Sequence, residues 1–197
     1  DYGAASGDTV TVTAGATGKL YAQISAGAPF DAFLSADTTT PARLEADGTG
    51  VAGTAFPYAT GTLVLWSPDP AADLSDPKAA LTKAAHVAIA NPDLAPYGKA
   101  AAQTIEKLGL TDALKDKIVM GENVGQAQTM VASGAAEVGF VAASGLVGLA
   151  EPGASWTVPA DMHDPLTQGV ILLTHGAGNT AAQGFLAYLA FDTGKAA

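Results

Sequence analysis

The sequence predicts an α/β fold with largely parallel sheets, divided into two lobes. Three observations carry that expectation. Short β-branched runs alternate with helical patterns along the chain. The middle of the chain reads as one complete strand–helix unit, whereas the segments before and after it read as parts of another. The composition is that of a packed protein, 48% hydrophobic and 14% charged, the reverse of the balance that leaves a chain disordered. The expected lobes are residues 1–58 with 165–197, and residues 59–164, with chain crossings near Ala59 and Pro159.

Residues 9–13, Thr-Val-Thr-Val-Thr, alternate with period two and predict the first strand. A small-residue turn follows over 14–18. Leu20 and Ile24 then fall at helical spacing, with Tyr21 beside them and Gly27 as the stop. Residues 32–34 are a short buried strand. Thr40-Pro41 opens a helix through Leu44, with Pro where its missing N–H costs little. Residues 61–66 form a strand, and Asp76-Pro77 starts the next helix. Residues 86–90 are a strand that Asn91-Pro92 turns out of. A helix over 97–108 buries Ala101, Ile105 and Leu108. After a strand at 118–120, a helix over 124–135 buries Ala127, Met130, Val131 and Ala135. Residues 138–142 and 169–173 are strands. The last helix buries Ala182, Phe185, Leu186 and Leu189, with Asn179 as its N-cap.

Composition removes several function classes. Nine basic residues face nineteen acidic ones, a net charge of −10, which opposes nucleic-acid binding and charge-driven membrane association. Cysteine is absent, so disulfide scaffolds, thiolate metal sites and thiol catalysis are excluded together. No apolar run approaches the roughly 18–20 residues of a membrane span, so no direct membrane insertion is expected. A signal-peptide pattern is not seen, as in a mature or trimmed chain.

Catalytic patterns are sparse. No nucleophile elbow, zinc-protease helix or Walker loop occurs. Ser35 and Ser144 have no evident base. His86 and His175 read as structural or exposed. Asp161, His163 and Asp164 form a candidate metal cluster for an enzyme, but it lacks a ligand from another region.

Three Gly-bearing turns, at 15–18, 95–98 and 122–125, each stand between a strand and a helix. Helix N-termini present unpaired N–H donors and partial positive charge, so converging turns would hold an anion without Lys or Arg. The same turns also serve as ordinary connections capped locally.

The residues around these turns narrow the choice. Gly15-Ala16-Thr17-Gly18-Lys19-Leu20-Tyr21-Ala22-Gln23-Ile24 runs directly into Ser25-Ala26-Gly27-Ala28-Pro29-Phe30-Asp31-Ala32-Phe33-Leu34-Ser35-Ala36-Asp37. Further on come Gly61-Thr62-Leu63-Val64-Leu65-Trp66-Ser67, Ala95-Pro96-Tyr97-Gly98, Asn123-Val124-Gly125-Gln126-Ala127 and Ser133-Gly134-Ala135-Ala136-Glu137-Val138-Gly139-Phe140-Val141. In this order they resemble the periplasmic molybdate-binding proteins of ABC importers, over nearly the whole chain. The resemblance implies a two-lobed periplasmic-binding-protein fold, each lobe a mostly parallel sheet flanked by helices. It implies capture of molybdate, and of tungstate, in the cleft between lobes, and delivery to the membrane permease of the importer. It implies a periplasmic location, no cofactor and no catalysis.

Residue by residue, the resemblance assigns Thr17 a hydroxyl donor, with Ala16 shaping its turn. Tyr97 and Val124 act through backbone N–H groups, with Asn123 beside Val124. One branch of the family carries a late Tyr ligand in Gly-Ile-Val-Tyr. This chain reads Gly139-Phe140-Val141-Ala142 there, so that Tyr is not carried over. The family normally opens with a strand, a hydroxyl-bearing turn and a long helix. Residues 1–7 resemble only the end of that helix, and the tail stops before the family's closing segment. The expectation is a first lobe short of about 20 residues, through trimming, partial recording or an incomplete site. A lost central strand would leave sheet edges open to another chain. Another small oxyanion or organic acid, and a metal-dependent enzyme at Asp161, His163 and Asp164, are the alternatives.

Overall fold

The computed structural model describes residues 2–191. They fall into two compact units, residues 1–60 with 167–197 and residues 61–166. The chain opens with α1 (Tyr2–Ser6), an unpaired extended stretch, α2 (Thr17–Ser25), β1 (Ala32–Ser35), α3 (Thr39–Ala46) and β2 (Phe56–Gly61). There follow β3 (Leu63–Ser67), α4 (Pro77–Lys83), β4 (Val87–Ala90), α5 (Pro96–Lys107), α6 (Thr111–Leu114), β5 (Ile118–Gly121), α7 (Val124–Ala132), β6 (Val138–Ala142) and β7 (Ala154–Thr157). A 3-10 turn at Ala160–Met162 leads to β8 (Leu166–Leu172), and α8 (Thr180–Ala190) closes the described chain.

The first unit is a three-stranded sheet in the order β1-β8-β2. Side chains of a strand alternate between faces, and β8 uses this fully. Ile171 and Leu173 pack on one face with Ile24 of α2, Phe33 and Leu44 of α3. Val170 and Leu172 pack on the other with Ala182 and Leu186 of α8. The Asn179 side chain accepts from the N–H groups of Ala181 and Ala182, so α8 begins where the sequence places its cap.

The second unit is a five-stranded sheet in the order β5-β4-β6-β3-β7. Both β4–β5 and β4–β6 are parallel. The crossovers β4-α5-β5 and β5-α7-β6 run in opposite directions along the sheet, so right-handed connections put α5 and α7 on opposite faces. Val131 and Ala127 of α7 pack with Val64, Trp66, Ala88 and Val141. The alternate residues Leu65, Ile89 and Phe140 are also buried, on the face where α5 lies over β3, β4 and β6.

Helices flank the sheets as expected, but strand direction is mixed rather than mostly parallel. The β1–β8, β3–β6 and β3–β7 pairs are antiparallel. Local periodicity identifies a strand and says nothing of the direction of its neighbour. The expected strand at 9–13 does not form. No described segment pairs with it, and a strand without a ladder has nothing to fix it. The helix expected to reach 135 ends at Ala132. Gly134 takes φ +78°, and the N–H of Ala135 turns back to the Met130 carbonyl at 2.9 Å, a left-handed stop. Two strands escaped the sequence reading, β2 and β7. Each ends its sheet, and Pro57 within β2 disguises it, since Pro is tolerated only at such an edge.

Phe140 is 1% exposed at the centre of the larger sheet. Phe140→Ala should destabilise the protein by about 3–5 kcal/mol, read as a lowered midpoint in urea with the slope unchanged.

Candidate functional site

In the first unit, α2 starts after Ala16, and no side chain caps it. Ala16 is 1% exposed and Thr17 8%. The first N–H groups of a helix have no acceptor within the helix, so a buried start without a capping side chain presents donors outward. Thr17 Oγ1 accepts from the Ala36 N–H at 3.4 Å. That contact joins the exit of β1 to the start of α2 and leaves the hydroxyl proton available to donate. Ser35 is buried next to it, its Oγ accepting from the Asp37 N–H at 3.3 Å.

In the second unit, β4 and β5 end together, with Ala90 opposite Gly121. The Asn91 N–H donates to the Gly121 carbonyl at 2.8 Å and extends the ladder by one residue. Parallel strands in register deliver both following helices to the same edge of the sheet, where α/β proteins hold ligands. Helix α5 begins after Ala95, with Pro96 in its first turn and no capping side chain. Ala95 and Tyr97 are each 6% exposed. Helix α7 begins after Asn123, whose Oδ1 accepts from the Gln126 N–H at 3.0 Å. Gln126 Oε1 in turn accepts from the Glu122 N–H at 2.7 Å. This reciprocal pair is a variant of the capping box. It consumes the Gln126 donor and leaves the Val124 and Gly125 N–H groups at the helix tip.

Two glycines permit this approach. A Cβ on Gly98 would sit 2.4 Å from the Ala90 carbonyl oxygen, and one on Gly121 would sit 2.7 Å from the Ala127 nitrogen. Only residues without a side chain bring α5 and α7 this close to the strand ends.

Charge near α5 is already matched. Lys99 Nζ lies 2.8 Å from Asp164 Oδ2, and Gln103 Nε2 donates to the same oxygen at 2.8 Å. The Asp164 N–H donates to Gln103 Oε1 at 2.9 Å. The Lys99 hydrogen bond, then that from Gln103, holds the Asp164 carboxyl below the usual carboxylate range. Lys107 Nζ donates to the Asp161 carbonyl. One face of α5 is thus laced to the connector that follows β7.

This arrangement removes the geometry expected of Asp161, His163 and Asp164. Asp164 is engaged by Lys99 and Gln103, and His163 Nδ1 lies 2.7 Å from the Asp164 carbonyl oxygen. Among the described residues no group of three or more His, Asp or Glu side chains could hold a metal ion. The structure brings Tyr97, Asn123 and Val124 to one sheet edge in the second unit. Ala16 and Thr17 meet at the start of α2 in the first. The sequence reading weighed Ser35 only as a nucleophile without a base, and gave Gln126 no role. The Asn-x-x-Gln spacing was a legible signal for Gln126. Ser35 had none, because its burial depends on tertiary packing.

The Asp164 link has a pH signature. Its folded pKa is depressed, so its stabilisation is present above the unfolded value and is lost as pH falls through the folded one. Asp164→Asn should melt below the parent protein at neutral pH, with the gap closing under acidic conditions below the ordinary carboxylate range. A gap constant with pH would mean that the charge does not hold the connector.

No described helix is long and apolar enough to cross a membrane. Over residues 1–197 the chain matches the family described as bacterial extracellular solute-binding protein. It is 49% identical over 187 residues to the molybdate-binding protein ModA of Azotobacter vinelandii, covering 93% of this chain and 74% of that protein. It is 46% identical over 185 residues to ModA of Rhodobacter capsulatus, covering 93% and 72%. The solved Azotobacter vinelandii periplasmic molybdate-binding protein superposes with a TM-score of 0.89 at 36% identity, over 96% of this chain and 84% of that one. The chain therefore belongs to the bacterial extracellular solute-binding proteins, in the ModA family.

Proposed function

We propose that this protein captures molybdate, and tungstate with it, in the periplasm and delivers it to the membrane permease of an ABC importer. The observation that carries the reading is the pair of buried helix starts, at α2 and α5, that no side chain caps. The similarity to the ModA relatives says which anion they serve. Ala16 and Thr17 contribute from the first unit, Thr17 through its hydroxyl. Tyr97 and Val124 contribute backbone N–H groups from the second, and Asn123 orients the tip of α7.

The chemistry suits the ligand. Molybdate is a fully deprotonated dianion at neutral pH, so a site made of donors alone satisfies its oxygens. A protonated phosphate would also require an acceptor. Neutral donors avoid an unpaired buried cation when the site is empty. Rejection of sulfate then rests on cavity size, which does not separate tungstate from molybdate. No cofactor enters this reading, and neither does catalysis.

Calorimetry should show tight binding of molybdate and tungstate and much weaker binding of sulfate. Sulfate binding as tightly as molybdate would refute the selectivity, and no heat with any of the three would refute the function. Thr17→Ala should weaken molybdate binding by about 0.5–3 kcal/mol, the range from a neutral to a charge-assisted hydrogen bond. An unchanged affinity would remove Thr17 from the site.

A further inference from the structure

Helix α5 carries Tyr97 in its first turn, and the lengthwise position of the helix decides how far that turn reaches past the end of β4. Packing alone fixes this position loosely. The buried face of α5 is Tyr97, Gly98, Ala100, Ala101, Thr104 and Ile105, mostly small side chains that interlock little with the sheet beneath. Thr104 adds no polar anchor, since its Oγ1 donates to the Ala100 carbonyl of its own helix at 2.8 Å. The outer face is built differently. Lys99, Gln103 and Lys107 follow one another at helical spacing in one row. All three reach the connector between β7 and β8.

That connector is itself anchored. The Val158 N–H donates to the Leu63 carbonyl of β3 at 3.0 Å, and Leu166 is buried at the other end. Pro159 and Pro165 bracket the stretch, each with φ locked by its ring. Gln103 is half-buried and meets one residue of the connector at two points. Its Nε2 donates to Asp164 Oδ2 at 2.8 Å, and its Oε1 accepts from the Asp164 N–H at 2.9 Å. Only one orientation of the amide satisfies both bonds, so the clamp resists sliding in either direction. The Lys99–Asp164 pair is 63% exposed on each side, and such a pair holds little by itself. We propose that Gln103 and Asp164 are positioning residues for the α5 part of the anion site. They set the axial position of the helix, and so the reach of its first-turn N–H groups. The inference rests on the reading of Tyr97 as an anion donor. Gln103 lies about 9 Å along the axis from Tyr97, so the clamp acts without touching the ion. A hydrogen bond tolerates about 0.5 Å in length, and a slide by the rise of one residue, about 1.5 Å, would take these donors out of reach.

The test combines calorimetry with molybdate and hydrogen exchange in the anion-free protein. Gln103→Ala and Asp164→Ala should each weaken molybdate binding about tenfold, the scale of one lost hydrogen bond to a charged group. The double variant should lose no more than either. Asp164→Asn keeps the N–H and an acceptor oxygen for Gln103, so it should bind as the parent does while losing the charge that pairs with Lys99. Glu106→Ala, exposed on the same helix, should also bind as the parent does. Without anion, Gln103→Ala should speed exchange at Gly98 and Lys99, whose N–H groups donate to the Ala95 carbonyl at 2.9 and 3.1 Å, and leave Ala127 of α7 unchanged. Unchanged affinity in Gln103→Ala, additive losses in the double variant, or Asp164→Asn as weak as Asp164→Ala would overturn the proposal. A parent protein that bound no molybdate would refute the proposed function instead, and exchange would then decide this inference: faster exchange at Gly98 and Lys99 would uphold it, and unchanged exchange would overturn it.

Discussion

The parallel pairing of β4 with β5 sets Ala90 opposite Gly121, and the candidate anion site of the second unit depends on that register. A parallel pair cannot be joined by a tight turn, so each strand must be followed by a crossover helix. Both helices then start at the same edge, with the positive ends of their dipoles side by side. Gly98 and Gly121 let them come within backbone contact of the strand ends. A slip of one residue in this pair would exchange the side chains of β4 that face α5 with those that face α7 and separate the two helix tips.

Net charge and local field point in opposite directions here. The surface carries −10, which repels an approaching anion over the Debye length and slows its capture at low salt. The site works on a shorter scale. The proposed donors are the peptide dipoles of the helix starts and the Thr17 hydroxyl, and the nearby cation Lys99 is committed to Asp164 at 2.8 Å. At such a site, long-range repulsion would govern how fast an oxyanion arrives, and the local dipoles how long it stays.

Much of this architecture was legible in the residues. The starts of α7 and α8 could be read from Asn123 and Asn179, because a cap is a local interaction between near neighbours. The ends of β4 and β5 could be read from Asn91-Pro92 and the glycines around 121. The Thr-Val alternation at 9–13 misled for the converse reason. Alternation is local, whereas strand formation needs a distant partner, and none of the described segments supplies one. Asp161, His163 and Asp164 misled similarly. Their spacing suggested a shared ion, but Asp164 finds Lys99 65 positions away, a contact no local pattern announces. Thr17 was assigned through its family motif, whereas the burial of Ser35 in the same run was not, since only packing buries it.

The missing caps on α2 and α5 carry one more consequence. An anion held at either tip would do the work that Asn123 does for α7, so it would be a structural part of that helix. Occupancy would then be felt as local order. The first turns of α2 and α5 would fray in the empty protein and stiffen when it fills, while α7, which holds its own cap, would stay ordered throughout.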